Sequence, residues 1–294
     1  MGEIVGAGFL SHAPTIMFPE QLRYDLNEGR EISLVPGLNR IRNEVLDRLQ
    51  PDAILVFDTH WFTTVEFIIT AQDRRKGLYT SEALPRGMCQ IPYDMKGDRE
   101  LAQQICHSVN GKVRCHASED PYLPVHYPTI NLAHFLNRGE SWLTMGICQT
   151  AQDHNFLAVG EGIAKAIEQS DQRVVLLASG GMSHRFWPLD QLEQHESSDP
   201  GHIITPEARA ADEQRLDWWH QGNHAAVIDH MDDYRAHAPE GKFAHYLMMV
   251  GALGGRQCQA KGELFSDYEN ATGTGQVHVW FEQPTNGWSN PTCE

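Results

Sequence analysis

Val174-Val175-Leu176-Leu177-Ala178-Ser179-Gly180-Gly181-Met182-Ser183-His184 reads as a buried strand that ends in a glycine turn and presents a histidine. Its apolar part is short, β-rich and continuous rather than alternating, the pattern of a parallel strand covered on both faces. The pattern occurs twice more. Gly6-Ala7-Gly8-Phe9-Leu10-Ser11 leads to His12, and Ala53-Ile54-Leu55-Val56-Phe57-Asp58-Thr59 leads to His60. Open α/β sheets bind ligands outside the carboxyl ends of their strands. Three imidazoles delivered to one such edge predict a site, and a metal site before others.

Outward from these runs, strands are predicted at 3–9, 53–57, 65–69, near 113, at 142–147 and at 173–178. A polar, turn-rich stretch precedes Pro36, which opens a helix running to Leu49. Residues 73–97 read as an irregular excursion broken by Pro85 and Pro92. Helices are predicted at 98–109, 127–136, 156–167, 206–220 and 225–231. A long apolar helix at 243–253 stops at Gly254-Gly255, and 263–268 with 276–281 form a terminal strand pair. The alternation predicts an α/β fold: one domain, 1–282, with a central mixed, mostly parallel sheet flanked by helices on both faces. Residues 283–294 form a polar, loosely held tail. Strands 3–9 and 53–57 are expected side by side, because successive strands often pair.

Lys plus Arg number 23 and Asp plus Glu 39 in the 294 residues, a net charge of −16. No Lys/Arg cluster is present, which argues against nucleic acid as a partner. No apolar stretch approaches the ~18 residues of a membrane span, and the N-terminus lacks the pattern of a signal peptide. The six cysteines include no C-x-x-C pair, so a thiolate zinc site is disfavoured and reduced thiols in the cytoplasm are expected.

Each candidate has an ordinary reading beside the chemical one. His12 and His60 read singly as satisfied surface or core histidines; at adjacent strand ends they come within metal-ligand reach of each other. Two histidines and a carboxylate on one face leave the opposite positions of a metal open, as in non-haem iron oxygenases. Glu240, in Ala238-Pro239-Glu240-Gly241-Lys242, could supply that carboxylate, but its spacing says only that it is an acid near a helix start. His184 is a fourth ligand or an acid/base group. Ser183 as a hydrolase nucleophile lacks the G-x-S-x-G elbow. Gly273-Thr274-Gly275-Gln276 lacks the Lys-Ser/Thr of a phosphate loop and reads as a strand entry. His220, His224 and His230 read as solvent-facing or structural.

Val56-Phe57-Asp58-Thr59-His60-Trp61, Tyr79-Thr80-Ser81-Glu82-Ala83-Leu84-Pro85, Ser179-Gly180-Gly181-Met182-Ser183-His184-Arg185-Phe186 and Gly273-Thr274-Gly275-Gln276-Val277 span nearly the whole chain. With Glu240-Gly241 and Gly251-Ala252-Leu253-Gly254, the set resembles the class III extradiol ring-cleaving dioxygenases, and within them the branch acting on 3,4-dihydroxyphenylacetate (homoprotocatechuate). The resemblance implies His12, His60 and Glu240 as Fe(II) ligands, His184 as acid/base and Tyr127 beside the substrate. It further implies a small aromatic diol and O₂ as reactants, a muconic semialdehyde as product, and a cytoplasmic homo-oligomer. Pro128 stands where a glycine is expected, His126 where relatives often carry an acid, and Ala244 where the family has a histidine, with His245 one place on. Arg185 is a candidate partner for an acidic side arm. Other catechols, 2-aminophenols, and a zinc or manganese hydrolase with His184 as base remain alternatives. A non-catalytic partner subunit is disfavoured because all three ligand positions are filled.

Overall fold

The computed structural model describes residues 1–289; residues 290–294 of the expected tail, Cys293 among them, lie outside the described residues. In chain order the strands are β1 (Glu3–Leu10), β2 (Ala53–Thr63), β3 (Phe67–Thr70), β4 (Arg74–Tyr79), β5 (Ile91–Lys96), β6 (Cys115–Ser118), β7 (Ser141–Cys148), β8 (Arg173–Ser179), β9 (Gly262–Leu264), β10 (Glu269–Ala271), β11 (Thr274–Gln276) and β12 (His278–Phe281). Ten form one sheet in the order β4-β5-β7-β2-β8-β1-β12-β9, with β3 attached to β7 and β6 to β3. β7, β2, β8 and β1 run parallel, and β12 and β9 close one side antiparallel.

The continuous apolar runs are explained by burial on both faces. Residues 53–58 of β2 and 174–179 of β8 are all buried. Alternate side chains enter two separate cores. Phe9, Leu55, Phe57 and Leu176 meet helices Asp153–Gln169 and Ala244–Ala252 on one face. Leu10, Ile54, Val56 and Leu177 meet the helical stretch 34–49 and helix Tyr127–Leu136 on the other. The α/β layering predicted from the alternation is the observed fold. No helix among the described residues is long and apolar enough to cross a membrane.

Several local expectations are corrected. β1 and β2 are not neighbours: β8 lies between them and pairs with both. Residues 73–97 are a β4–β5 hairpin, with Pro92 opposite Leu78. Only Lys96 of β5 pairs onward to β7, so the missing N–H of Pro92 interrupts no second ladder. The helix expected to open at Pro36 begins at Leu34, leaving Pro36 in the first turn, where no intrahelical N–H bond is needed. Glu20–Leu26 is a helix inside the stretch read as turns. The terminal pairing is β9 with β12, and residues 269–276 make a separate β10–β11 hairpin. The described end of the chain is attached, not loose. The Trp288 indole N–H donates to the Ile4 carbonyl at 2.9 Å, and Ser289 bridges to Cys258.

Candidate metal centre

His12 leaves β1 in a turn bound on all sides. The Ser11 hydroxyl donates to Gln276 Oε1 at 2.5 Å, and the Ser11 N–H donates to His278 Nδ1 at 3.1 Å. Asn131 Nδ2 donates to the His12 carbonyl at 2.8 Å. The ring's Nδ1 stands 3.0 Å from the Ser179 hydroxyl at the end of β8. That contact orients the imidazole and leaves Nε2 for the site.

His60 lies inside β2, not at its end. The β2–β7 register shifts between Asp58 and Phe62, a bulge of the kind that re-aims side chains beside functional sites. The fully buried Asp58 supplies what the ladder loses. Its Oδ1 accepts from the N–H groups of His60 and Trp61 at 3.0 and 3.2 Å. Its Oδ2 accepts from the Thr129 hydroxyl at 2.7 Å.

Glu240 opens a short 3-10 turn, Glu240–Phe243, before helix Ala244–Ala252. Its own N–H donates to the Met182 carbonyl at 3.0 Å. Gly241, Lys242 and Phe243 then adopt φ of 53, 61 and 61°, three successive left-handed residues. Only glycine takes this conformation without steric cost, so the other two are held by their surroundings. Lys242 Nζ donates to the carbonyls of Gln149 and Ala151, both at 2.8 Å. Phe243 is buried among Phe9, Trp219, Tyr234 and Tyr246. The Glu240 carboxylate thereby turns away from the helix. It accepts from the Thr59 hydroxyl at 2.5 Å and from the Gly181 N–H.

The three side chains converge. Glu240 Oε1 is 3.3 Å from His12 Nε2 and 3.3 Å from His60 Nε2. All three donor atoms lie within 4.8 Å of one another. Two ligands about 2.1 Å from one ion and at right angles stand about 3 Å apart, so the spacing suits a single metal. The charge balance points the same way. Glu240 is buried, and among the described residues only histidines lie within ion-pair reach of it. Burial pushes its carboxyl up, but His184, His12 and His60 outweigh that and hold it well below the usual carboxylate range. Burial lowers the His60 pKa, yet bonding to Glu240 leaves it raised.

His184 and Tyr127 flank the triad. His184 Nδ1 is 3.6 Å from Glu240 Oε2 and has no hydrogen-bond partner. Burial holds its pKa below the ordinary value against the pull of Glu240. Tyr127 begins its helix with the phenol oxygen 2.7 Å from His60 Nε2; burial first, then the charge of Glu240, raises its pKa. His126 stacks on Trp61 instead of joining the triad. Arg185 is exposed and donates to the Ala236 carbonyl. Ser183 is buried and gives its hydroxyl to Asp212 at 2.7 Å, so it has no histidine to activate it as a nucleophile. His245 is fully buried 5.1 Å from Phe9, ring centre to ring centre, with both nitrogens unpartnered. Asp58, Thr59, Ser179 and Gly181 also build the site. Their one signal in the sequence is that they lie inside the Asp-Thr-His-Trp and Ser-Gly-Gly-Met-Ser-His stretches.

The family described as the catalytic LigB subunit of aromatic ring-opening dioxygenase matches residues 6–282. The chain is 29% identical to 3,4-dihydroxyphenylacetate 2,3-dioxygenase of Escherichia coli over 259 residues, 86% of this chain and 91% of the relative. It is 23% identical to the alpha subunit of 2-aminophenol 1,6-dioxygenase of a Pseudomonas species, across 81% of this chain and 86% of that one. The fold is similar to the crystal structure of an uncharacterized Escherichia coli K12 protein, with TM-score 0.61 and 16% identity over 94% of this chain and 99% of the other. The chain belongs to the catalytic LigB family of aromatic ring-opening dioxygenases and is an extradiol dioxygenase.

Proposed function

We propose that the chain, through residues 1–282, opens the ring of a catechol, 3,4-dihydroxyphenylacetate first among them, with O₂ at an Fe(II) ion held by His12, His60 and Glu240. The observation that carries the reading is the meeting of two imidazole nitrogens on one carboxylate oxygen, each at 3.3 Å, at the carboxyl edge of a parallel sheet. A two-histidine, one-carboxylate face leaves positions open for reactants. When bound, the ion supplies positive charge that eases loss of a diol proton and a common meeting point for diol and O₂.

The protein's own groups do the rest. His12 and His60 are oriented by Ser179 and by the Asp58-held bulge, so little rearrangement is needed on binding. His184 carries the proton: its Nδ1 faces the ligand carboxylate at 3.6 Å with no competing partner. It takes a proton from the diol side and returns it to the oxygen that separates as the O–O bond breaks, and that oxygen then enters the product with its partner. Tyr127 flanks the bound ring from the His60 side. His184→Phe should keep a full complement of iron and lose roughly 10²–10⁴-fold in kcat, because general acid/base groups contribute about that much. Undiminished turnover in this variant removes His184 from the role.

Similarity to a 2-aminophenol dioxygenase subunit supports a second substrate class, a ring bearing an amine beside the hydroxyl. Anaerobic reconstitution separately with Fe(II), Mn(II) and Zn(II), followed by aerated assays on a panel of catechols and 2-aminophenol, separates the readings. The expected result is one O₂ consumed per 3,4-dihydroxyphenylacetate, with growth of a yellow product, in the Fe(II) form. Turnover of 2-aminophenol alone replaces the substrate. Hydrolysis without O₂ uptake in the Zn(II) or Mn(II) form replaces the chemistry. The family resemblance extends the proposal to a cytoplasmic homo-oligomer, whose assembly state light scattering measures.

A further inference from the structure

The segment that carries His184 is held in an unusual way. Each N–H from residue 180 to 184 bonds to a different element. Gly180 donates to the Leu10 carbonyl at 3.0 Å, Gly181 to Glu240, Met182 to the Gly275 carbonyl at 2.8 Å, and His184 to the His237 carbonyl at 3.4 Å. Ser183, like Gly181, donates to a side chain: Asp212, which lies in helix Pro206–Gln221 and is fully buried. Asp212 takes the Ser183 N–H at 3.1 Å, the Ser183 hydroxyl at 2.7 Å, the Tyr234 hydroxyl at 2.7 Å and the Tyr268 hydroxyl at 2.6 Å. Among the described residues no cation lies within ion-pair distance of Asp212. Four donors face the carboxyl directly and the Arg215 guanidinium acts on it from beyond contact, against a burial that pushes its pKa up; the arrangement loses much if one oxygen becomes a donor.

Gly275 shows how little slack this clamp has. It donates to the Ser183 carbonyl at 2.9 Å and accepts from the Met182 N–H at 2.8 Å. A Cβ there would lie 2.2 Å from Asp212 Oδ2 and 2.8 Å from the Tyr268 hydroxyl. The glycine that resembled part of a phosphate loop is required by close approach to a carboxylate. The clamp grips Ser183, between Gly181, which holds the Glu240 carboxylate, and His184. The His184 ring itself has no hydrogen bond at Nδ1; Phe186 meets it edge-on, with ring centres 5.0 Å apart. Most catalytic imidazoles are aimed by a partner on the second nitrogen. Here the backbone must do the aiming.

We propose that Asp212 is a positioning residue for ring opening: acting through Ser183, it sets where the His184 imidazole stands relative to the His12–His60–Glu240 face. This rests on the reading of His184 as the acid/base group. Displacement of a reacting group by an ångström costs on the order of 100-fold. Partners that orient a ligand or catalytic group cost roughly 10–100-fold when lost. Asp212→Asn turns one acceptor oxygen into a donor facing hydroxyls and the Ser183 N–H, with almost no change in volume.

The test measures kcat, KM and iron content in Asp212→Asn, in His184→Phe and in the double variant, with the iron-loaded enzyme and its best catechol. The expected result for Asp212→Asn is a kcat lower by roughly 10–100-fold, with KM within about twofold and iron per chain as in the unaltered protein. In the His184→Phe background the same change should alter kcat by less than about twofold, because the effect passes through the imidazole. A structural role alone would lower both backgrounds alike. Ser183→Ala, which removes only the hydroxyl donor, should show the same pattern with a loss of roughly 2–10-fold, and decides the matter if Asp212→Asn does not fold. An unchanged kcat, a loss of equal size in both backgrounds, or a loss of iron overturns the proposal while leaving the role of His184 standing. Full activity in His184→Phe removes that role, and the proposal with it.

Discussion

Glu240→Ala is expected to yield a folded protein that retains no stoichiometric iron after desalting and opens no ring. The substitution removes the one oxygen that both imidazoles face at 3.3 Å, and with it the carboxylate of the proposed ligand set. It also leaves the Thr59 hydroxyl and the Gly181 N–H without their acceptor. An unsatisfied buried donor costs about 1–3 kcal/mol, so some stability should be lost too. Relief of the buried charge offsets part of that. Iron analysis and denaturant unfolding of the same sample separate the effects. His12→Ala and His60→Ala should match it in iron loss. A variant that still holds one iron per chain strikes the altered residue from the ligand set.

Acid should destabilise the metal-free protein steeply below neutrality. His224, His245 and His278 are buried, and burial lowers their pKa values from 6.5 to about 4, about 3 and about 3. The hydrogen bonds agree for two of them. His224 accepts the Tyr246 hydroxyl at Nδ1 and donates from Nε2 to the Ala260 carbonyl, both at 2.8 Å. His278 accepts the Ser11 N–H at Nδ1 and donates from Nε2 to the Leu34 carbonyl, both at 3.1 Å. A second proton would set N–H against N–H at His278 and force the Tyr246 hydroxyl to turn and accept at His224. Above the unfolded-state pKa of about 6.5 all three are neutral in both states and contribute no pH dependence. As pH falls below it, the unfolded chain takes up protons that the folded chain refuses, and stability drops. By pH 5 each group costs roughly 2 kcal/mol, together a large part of the 5–15 kcal/mol of an ordinary domain. His60 has the opposite sign, since its raised pKa adds stability as pH falls, but it is one histidine against five that burial lowers, His134 and His184 being the other two. Guanidinium unfolding at pH 7.5, 6 and 5 reads the slope. Equal stability at all three values would show that these imidazoles are not neutral in the folded state.

What is legible in the sequence follows from what burial imposes locally. β1, β2 and β8 are covered on both faces, so their runs are apolar enough to be read one at a time. Their order is not local information. β8 enters between β1 and β2 through pairings more than a hundred residues apart, which no window of sequence contains. The β4–β5 hairpin escapes notice because its strands alternate exposed and buried residues and one carries a proline. At the site, His12 and His60 stand out as histidines after apolar runs. Glu240 does not, because nothing near it marks its carboxylate as turned from the helix toward Thr59 and Gly181. Only family resemblance points to it. Asp58 and Asp212 carry no mark in the sequence for a related reason. Buried carboxylates look like surface acids until the donors that enclose them, from positions 129, 183, 234 and 268, are brought alongside.

The left-handed run from Gly241 to Phe243 bears on the order in which the molecule assembles. A lone chain segment has little reason to visit that conformation three times in succession, at about 1–2 kcal/mol for each residue with a side chain. Only when the Phe243 ring has found its aromatic neighbours, and Lys242 its two carbonyls, does the turn become the best available shape. Refolding should therefore complete the β-sheet and its apolar layers first and deliver the carboxylate to the imidazoles last, so that recovery of iron capture lags behind recovery of native tryptophan fluorescence.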